Sequence, residues 1–440
     1  MIIGLDVGGT HTDAVLIGEG SIRRQAKVPT DQSNLFECVL DGLEQVTRNI
    51  PAQTIDRAVL STTLTTNAIA EGKLSPVGMI VSAGPGVNPN SFRIGESFVC
   101  VSGSIDHRGR EVQPIDRREI ERISEKFRSE GIRHVGVVSK FSVRNPAHEL
   151  RIAEILGKSF EIIVMGHRLS GNLNFPRRIA TSYLNAAVHS VHKKFFEAVA
   201  GSLEKKGLRI PIFVLKADGG TISFESSMEA PGQTILSGPA ASVMGSLPFA
   251  SQTADTLVLD IGGTTTDMAI LVRGIPLLEP LGGEIGGLKT LIRSLHTRSI
   301  GLGGDSTVRV IDGKIQIGPE RQGRAMAYGG PLPTPTDALF VLGRGRDGSV
   351  EAAANGLRPI AESLGIPLEE AAARVFDTAC RLILDSASRM ISAINSKPVY
   401  TVRELLSGYR VTPREVLVLG GPAPHFAHRL SLMTDLNVHV

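Results

Sequence analysis

The pattern Asp-x-Gly-Gly-Thr-x-Thr-Asp occurs twice in this 440-residue chain, and no other feature limits its fold so tightly. Residues 257–271 read LVLDIGGTTTDMAIL, and residues 2–17 read IIGLDVGGTHTDAVLI. Apolar-biased runs flank each glycine pair, which predicts two β-hairpins with tight turns. Asp6, Gly8, Gly9, Thr10, Thr12 and Asp13 fall at the same offsets as Asp260, Gly262, Gly263, Thr264, Thr266 and Asp267. A separation of 254 positions is far longer than a solenoid repeat, so the copies imply a duplicated domain.

The chemistry of such a turn points to phosphate. Glycines let the backbone approach a ligand closely. Turn N–H groups and the hydroxyls of Thr10, Thr12, Thr264, Thr265 and Thr266 can together hold phosphate oxygens. Asp6 and Asp260 end the first strand of each hairpin, where a hydrated hard cation such as Mg²⁺ would sit beside them. Asp13 and Asp267 begin the returning strands, either as further site carboxylates or as acceptors bracing the turn. The expectation is two phosphate hairpins facing one another across a cleft.

Composition narrows the function classes. Lys and Arg total 47 against 44 Asp and Glu, and the basic residues are scattered rather than striped with aromatics. With no Trp and four Tyr, nucleic acid is not an expected partner. Three cysteines, Cys38, Cys100 and Cys380, share no short spacing and suit neither a disulfide framework nor a zinc motif. No run of 18 apolar residues exists, and the first strand begins at Ile2 with no room for a signal peptide. The reading is a cytoplasmic, membrane-free protein.

Strand and helix signals alternate along the chain, which predicts an α/β class. Ser21–Val28 reads as a third antiparallel strand, and Leu35, Phe36, Val39, Leu40, Leu43 and Val46 recur at helical spacing. A strand at Ala58–Leu60 runs into STTLTTNAIAEGK. There Thr65 or Thr66 caps a helix, or else Thr62, Thr63 and Asn67 line the cleft. His148 and Glu149 are weighed as catalytic groups, but as neighbours they face different ways, and a capping loop with a solvated His is the favoured account. A long helix at Phe175–Lys206 is expected to connect the halves, giving domains 1–185 and 186–440. Ser237–Gly238–Pro239 opens a helix, SIGLGGDSTV places Asp305 and Ser306 on another glycine turn, and Asp312–Gly313 turns a hairpin. Two helices, about 367–394 and 401–409, precede EVLVLGGPAPHFAHRL, read as strand, Gly420–Gly421 turn and helix.

An early D-x-G-G-T hairpin, its echo midway and a late strand–Gly-Gly–helix resemble the actin-like ATPase and sugar-kinase superfamily, whose domains are ribonuclease H-like. The resemblance implies two phosphate motifs at 2–17 and 257–271 and an adenosine motif at 416–427, with Gly420, Gly421 and Pro422 against the adenosine. Within that superfamily the chain resembles the hydantoinase A/oxoprolinase family. The carrying segments are TTLTTNAIAEGK, IDHRGREVQPID, FSVRNPAHE, ILSGPAASVMG, IGLGGDS and GPLPTPTDALFVLGR, in family order. The resemblance implies ATP- and Mg²⁺-dependent opening of a cyclic amide, a hydantoin or 5-oxoproline. It also implies a B-type partner subunit or homo-oligomer. Asp6, Asp260 and Asp13 would then be catalytic, with Asp6 and Asp260 on the metal, and Thr63, Asn67, Asp305 and Ser306 near the substrate. Two departures stand out: Asp305 replaces a commoner small residue, and the sequence stops at Val440 where members continue with a Gly/Ala-rich helix. The expectation is a shortened or short family member.

Two rival readings share the fold. A small-molecule kinase would need a carboxylate base beside a sugar hydroxyl, and neither an ExGH signature nor a zinc-binding Cys cluster is present. A chaperone or enzyme-reactivating ATPase would carry identical nucleotide motifs.

Overall fold

Alternation of buried and partly exposed residues sets the first hairpin: Ile3, Leu5 and Val7 point into a core, and Gly4 and Asp6 point the other way. A computed structural model describes residues 1–8, 11–31, 33–396 and 409–440. Strand Ile2–Val7 pairs antiparallel with His11–Gly18, Asp6 opposite Asp13 and Val7 opposite Thr12. Ser21–Pro29 adds the expected third antiparallel strand. On the other side Arg57–Thr62 and then Ile212–Leu215 pair in parallel, and Thr221–Ser223 closes the sheet edge. Helix Leu35–Thr47, capped by Asn34, lays Val39, Leu43 and Val46 on the core formed by Ile3, Leu5, Leu16, Phe195 and Val199.

The chain divides into two compact units, residues 1–241 with 278–294, and residues 242–277 with 295–440. The first unit holds a second, all-parallel sheet in the order Ile162–Met165, His134–Ser139, Val77–Ser82, Ser97–Cys100. Helix Phe175–Lys205 packs on both sheets, and its first turns are buried nearly all round, as suits a helix inside a domain. An expected boundary at 185/186 falls within this helix, which belongs to the first unit rather than bridging two halves. Segment 278–294 returns to the first unit, and Arg177 Nη1 holds it by donating to the carbonyls of Leu281, Gly282 and Thr290.

In the second unit, Asp255–Ile261 and Thr266–Val272 form the second hairpin, with Asp260 opposite Asp267. Pro413–Leu419 pairs in parallel with Asp255–Ile261, then Asn437–His439 follows, while Thr297–Ile300 and Ile275–Pro276 flank the other side. Leu257, Leu259, Ile261, Met268 and Ile270 pack against Val375, Phe376 and Ala379 of helix Leu368–Asn395 and Phe426 of helix Ala423–Met433. Helix Val350–Leu364 was not foreseen, because Pro359 inside it breaks the sequence signal. The helix expected at 401–409 lies outside the described residues up to 408.

Two local expectations change. The helix after STTL spans Leu64–Ala70 with Thr63 at its N-cap and no side-chain capping bond, so neither Thr65 nor Thr66 caps it. Thr65 is buried, and Thr66 Oγ1 accepts from the Leu236 N–H instead. His148 is 1% exposed and not solvated: its Nε2 meets Glu111 Oε1 at 2.9 Å. Glu149 is fully buried, accepting from the Ser139 N–H at 2.8 Å, the His167 N–H at 2.9 Å and His167 Nδ1 at 2.6 Å, with Arg178 Nη1 at 3.8 Å. Glu149 and its partners lie on four different segments, and the group holds the second sheet to the long helix.

Candidate functional site

The second hairpin turn is closed by the Gly262 N–H donating to Thr265 O at 2.9 Å. Loop 301–306 then docks directly on that turn. The Gly304 N–H donates to Gly262 O at 2.9 Å and the Asp305 N–H to Gly263 O at 2.7 Å. A Cβ on Gly303 would stand 2.5 Å from Gly262 O, so only glycine permits this approach. Thr336 extends the stack, its N–H and hydroxyl both donating to Gly304 O. Behind it, Asp337 closes a capping box with Thr334 and accepts the Met326 and Ala327 N–H groups, which fixes the Gly/Pro-rich stretch leading up to it.

Asp260 sits at the end of its strand, accepting a hydrogen bond from Ser242 Oγ. Its parallel neighbour in the register is Leu419, so the Gly420 turn follows directly beside it. Gly420 has φ +100°, and a Cβ there would lie 2.1 Å from Ile261 O and 3.0 Å from Asp260 Oδ1. The Gly262–Thr265 turn, loop 301–306 and Gly420 through Pro422 therefore meet in one place within the second unit. Thr264 is exposed at the turn tip, while Thr266 is buried, its hydroxyl donating to Leu302 O.

Carboxylates at this place differ in character. Burial first, with the charge of Asp260 adding, pushes the Asp267 carboxyl up to about 6 against a hydrogen bond from Ser299. Asp267 takes its bond from the neighbouring strand, and Gly262 to Thr265 closes the turn, so bracing the turn is not what Asp267 does. Burial also raises Asp305, against the pull of Arg321, whose Nη2 donates to its Oδ2 at 3.1 Å. Asp305 Oδ2 would lie 2.8 Å from a Cβ on Gly263, which puts this carboxylate against the turn. Arg321 escaped the sequence reading, and its Nε is buried with no hydrogen-bond partner. It places a guanidinium on the carboxylate that stands against the Gly263 turn. Ser306 is fully buried, its hydroxyl accepting the Gly303 N–H, so it supports the loop and is not open to a substrate.

The first unit builds a related but distinct arrangement. Asp6 Oδ1 accepts from Ser61 Oγ, its parallel neighbour in the sheet. The Gly8 N–H donates to His11 O at 3.0 Å; Gly9 and Thr10 lie outside the described residues. Thr12 is fully buried on the opposite face from Asp6 and shares its hydroxyl with Thr30 at 2.9 Å, so it does not join a phosphate site on the Asp6 face. Asp13 stands on the Asp6 face but pairs with Lys27 at 3.0 Å, half exposed. Thr63 and Asn67 come together, Asn67 Nδ2 donating to Thr63 Oγ1 at 3.4 Å, and the Thr63 N–H caps Val7 O. Ser237 locks this edge to the SGP turn by exchanging hydrogen bonds with the Thr62 backbone. Thr63 and Asn67 belong to the first unit, Asp305 and Ser306 to the second.

Against this geometry, the family model for hydantoinase/oxoprolinase matches residues 178–439, and that for the hydantoinase/oxoprolinase N-terminal region matches residues 2–160. The chain belongs to the hydantoinase/oxoprolinase family. It is 25% identical to the caprolactamase subunit alpha of Pseudomonas jessenii, across all of this chain and 67% of that protein. It is 26% identical to the acetophenone carboxylase gamma subunit of Aromatoleum aromaticum, across 99% of this chain and 65% of that protein. 5-oxoprolinase 1 of Arabidopsis thaliana is 23% identical, with 77% of this chain matching 31% of it. The chain thus spans about two thirds of the first two relatives and about a third of the last.

Solved structures agree on the fold. The nucleotide-free structure of acetone carboxylase superposes with a TM-score of 0.80 at 19% identity, covering 99% of this chain and 67% of that one. The ATP-dependent caprolactamase of Pseudomonas jessenii superposes at 0.73 and 24% identity, covering 99% and 68%. The fold of this family member is the α/β actin-like ATPase class. Among the described residues, no helix is long and apolar enough to cross a membrane.

Asp260, held at its strand end by the Ser242 hydroxyl, offers a hard oxygen donor of the kind Mg²⁺ takes. That carboxylate fits Mg²⁺, which would supply charge neutralisation to an anionic ligand there.

Proposed function

We propose that the chain is the nucleotide-binding subunit of an ATP-dependent hydrolase that opens a cyclic amide of the hydantoin, 5-oxoproline or lactam type. The observation that carries this reading is the docking of the Gly303–Asp305 loop and the Gly420 turn on the Gly262–Gly263 turn. It gathers Arg321, the Asp305 and Asp260 carboxylates and the glycine turns at one place, in a chain of the hydantoinase/oxoprolinase family. The caprolactamase and 5-oxoprolinase relatives add the substrate class.

The chemistry suits the problem. A lactam carbonyl is a poor electrophile because its nitrogen feeds electrons into it. Transfer of the γ-phosphoryl to the amide oxygen, with ADP leaving, removes that protection. Water then adds to the carbon, the C–N bond breaks to free the ring nitrogen as an amine, and a second water releases phosphate. Residues of the second unit contribute positioning: turn N–H groups and Arg321 on phosphate oxygens, Asp260 held in place by Ser242, and adenosine near Gly420 through Pro422. Thr63 and Asn67 are the residues of the first unit that we assign to substrate. A B-type partner subunit is part of the proposal, since two relatives are named as subunits.

A second reading, ATP-driven carboxylation of a ketone, is favoured by the similarity to the acetophenone carboxylase gamma subunit. One experiment separates the two. ATP hydrolysis by the purified chain, with and without its partner, is measured with Mg²⁺ and either lactams or a ketone plus bicarbonate. Lactam-dependent phosphate release with ring-opened product supports hydrolysis. Stimulation by the ketone and bicarbonate alone overturns it in favour of carboxylation.

A further inference from the structure

We propose that His134, His189 and Glu161 form a binding site for a divalent transition metal of the zinc class, apart from the nucleotide site. Among the described residues this is the one group of three His, Cys, Asp or Glu side chains whose ligand atoms all lie within 4.8 Å of one another. His134 opens strand His134–Ser139, and Glu161 immediately precedes strand Ile162–Met165. Backbone pairing holds these two strand starts together, with the Glu161 N–H on Arg133 O at 2.8 Å. His189 comes from the middle of helix Phe175–Lys205.

The spacing suits a tetrahedral ion. Two imidazoles at Zn–N distances of about 2.0–2.1 Å place their ring centroids roughly 5 Å apart. The His134 and His189 rings stand 5.5 Å apart at 73°. Glu161 Oε2 lies 3.7 Å from His134 Nε2, close to the ligand–ligand separation of such a site. Both imidazoles are buried, at 3% and 7% exposure, and the His134 Nε2 that faces Glu161 has one weak partner, Ser190 Oγ at 3.3 Å, which an ion would displace. Burial holds both below the ordinary histidine range, so they present neutral rings as ligation requires. Two nitrogens and one carboxylate oxygen favour zinc, cobalt or nickel over magnesium.

Two cations face the same carboxylate and set the affinity. Lys193 Nζ contacts Glu161 Oε1 at 3.1 Å, leaving Oε2 for the ion and serving as the outer hydrogen bond that orients it. Arg133 contacts Oε2 at 3.1 Å but is 76% exposed, a surface pair of small worth that an ion can displace. An ion here would join two strand starts to the long helix, with a fourth position left to water.

The test uses the full chain stripped of metal by a chelator, titrated with Zn²⁺ by calorimetry and with Co²⁺ by visible absorption. The expected result is one equivalent bound, with the intense visible bands of tetrahedral cobalt. Glu161→Gln should weaken binding at least tenfold and His189→Gln abolish it, while Arg133→Ala should tighten it several-fold. Glu161 and Arg133 lie at the surface, so their variants report even where the histidine variant unfolds. Absence of the cobalt bands, or zinc uptake unchanged in Glu161→Gln, overturns the site. The readout is metal uptake and is independent of the ATPase reading.

Discussion

Asp260 and Asp267 stand opposite one another on adjacent antiparallel strands, and burial together with the charge of Asp260 lifts the Asp267 carboxyl to about 6. The matching pair in the first unit, Asp6 and Asp13, is relieved differently, because Lys27 lies across the ladder from Asp13 where Ser299 lies across from Asp267. Equal sequence signatures thus carry unequal electrostatics.

A pH-dependent stability follows. The folded state holds the Asp267 proton above its usual 3.8, so between pH 4 and 6 it binds more protons than the unfolded chain. The stabilisation is present below pH 4 and is lost as pH rises through 6, by at most about 3 kcal/mol. Asp267→Asn should therefore melt at a higher temperature than the parent at pH 7 and at nearly the same temperature at pH 4. Melting curves of both proteins across that range check it, and an Asn variant less stable at pH 7 refutes it.

Asp260→Asn should leave the fold intact and lower ATP turnover at least ~100-fold, the scale of losing one electrostatic contact to the transition state. Asp6→Asn should behave alike. Ser242→Ala, which frees Asp260 from its hydrogen bond, should cost less, about tenfold, in turnover. Steady-state ATPase rates with circular dichroism as a control decide each case.

Much of this was readable in the sequence, and the misreadings have physical reasons. The hairpins were legible because Asp-x-Gly-Gly-Thr repeats, and the Asp312–Gly313 turn because Asp-Gly suits positive φ at both positions. Thr12 was misplaced although the signal was there. A strand alternates faces, and Thr12, paired with Val7, must share the Val7 side rather than the Asp6 side. Burial of His148 and Glu149 was not legible, since Glu111, Ser139, His167 and Arg178 are brought in by the fold. Arg321 was missed for the same reason: only the folded loop places it on Asp305.

Glycine substitutions in the Gly420–Gly421 turn should separate sharply. Gly420→Ala meets a backbone oxygen at 2.1 Å with φ +100°, so neither rotation nor side-chain movement relieves it. It should cost on the order of 3 kcal/mol or more and lower nucleotide affinity. Nothing lies within 4 Å of a Cβ on Gly421, and Gly421→Ala should shift stability by less than about 0.5 kcal/mol. Melting temperatures of the two variants test the contrast directly.

Glu149→Gln should be among the most damaging single changes in the first unit. It leaves the fully buried Arg178 guanidinium without its carboxylate, a loss of about 3–5 kcal/mol. The double variant Glu149→Gln with Arg178→Met should recover part of that loss, because no bare charge then remains inside. Recovery is read as a Tm above that of Glu149→Gln alone.

The return of residues 278–294 to the first unit bears on how the protein is made. A ribosome delivers the chain from one end, and the Arg177 guanidinium emerges about a hundred residues before the carbonyls of Leu281, Gly282 and Thr290 that receive it. During synthesis the first unit must wait, incomplete, while the whole second hairpin is produced. A fragment ended at residue 241 would be frozen at that waiting stage, so cutting the chain at its apparent boundary yields an unfinished body and not half an enzyme.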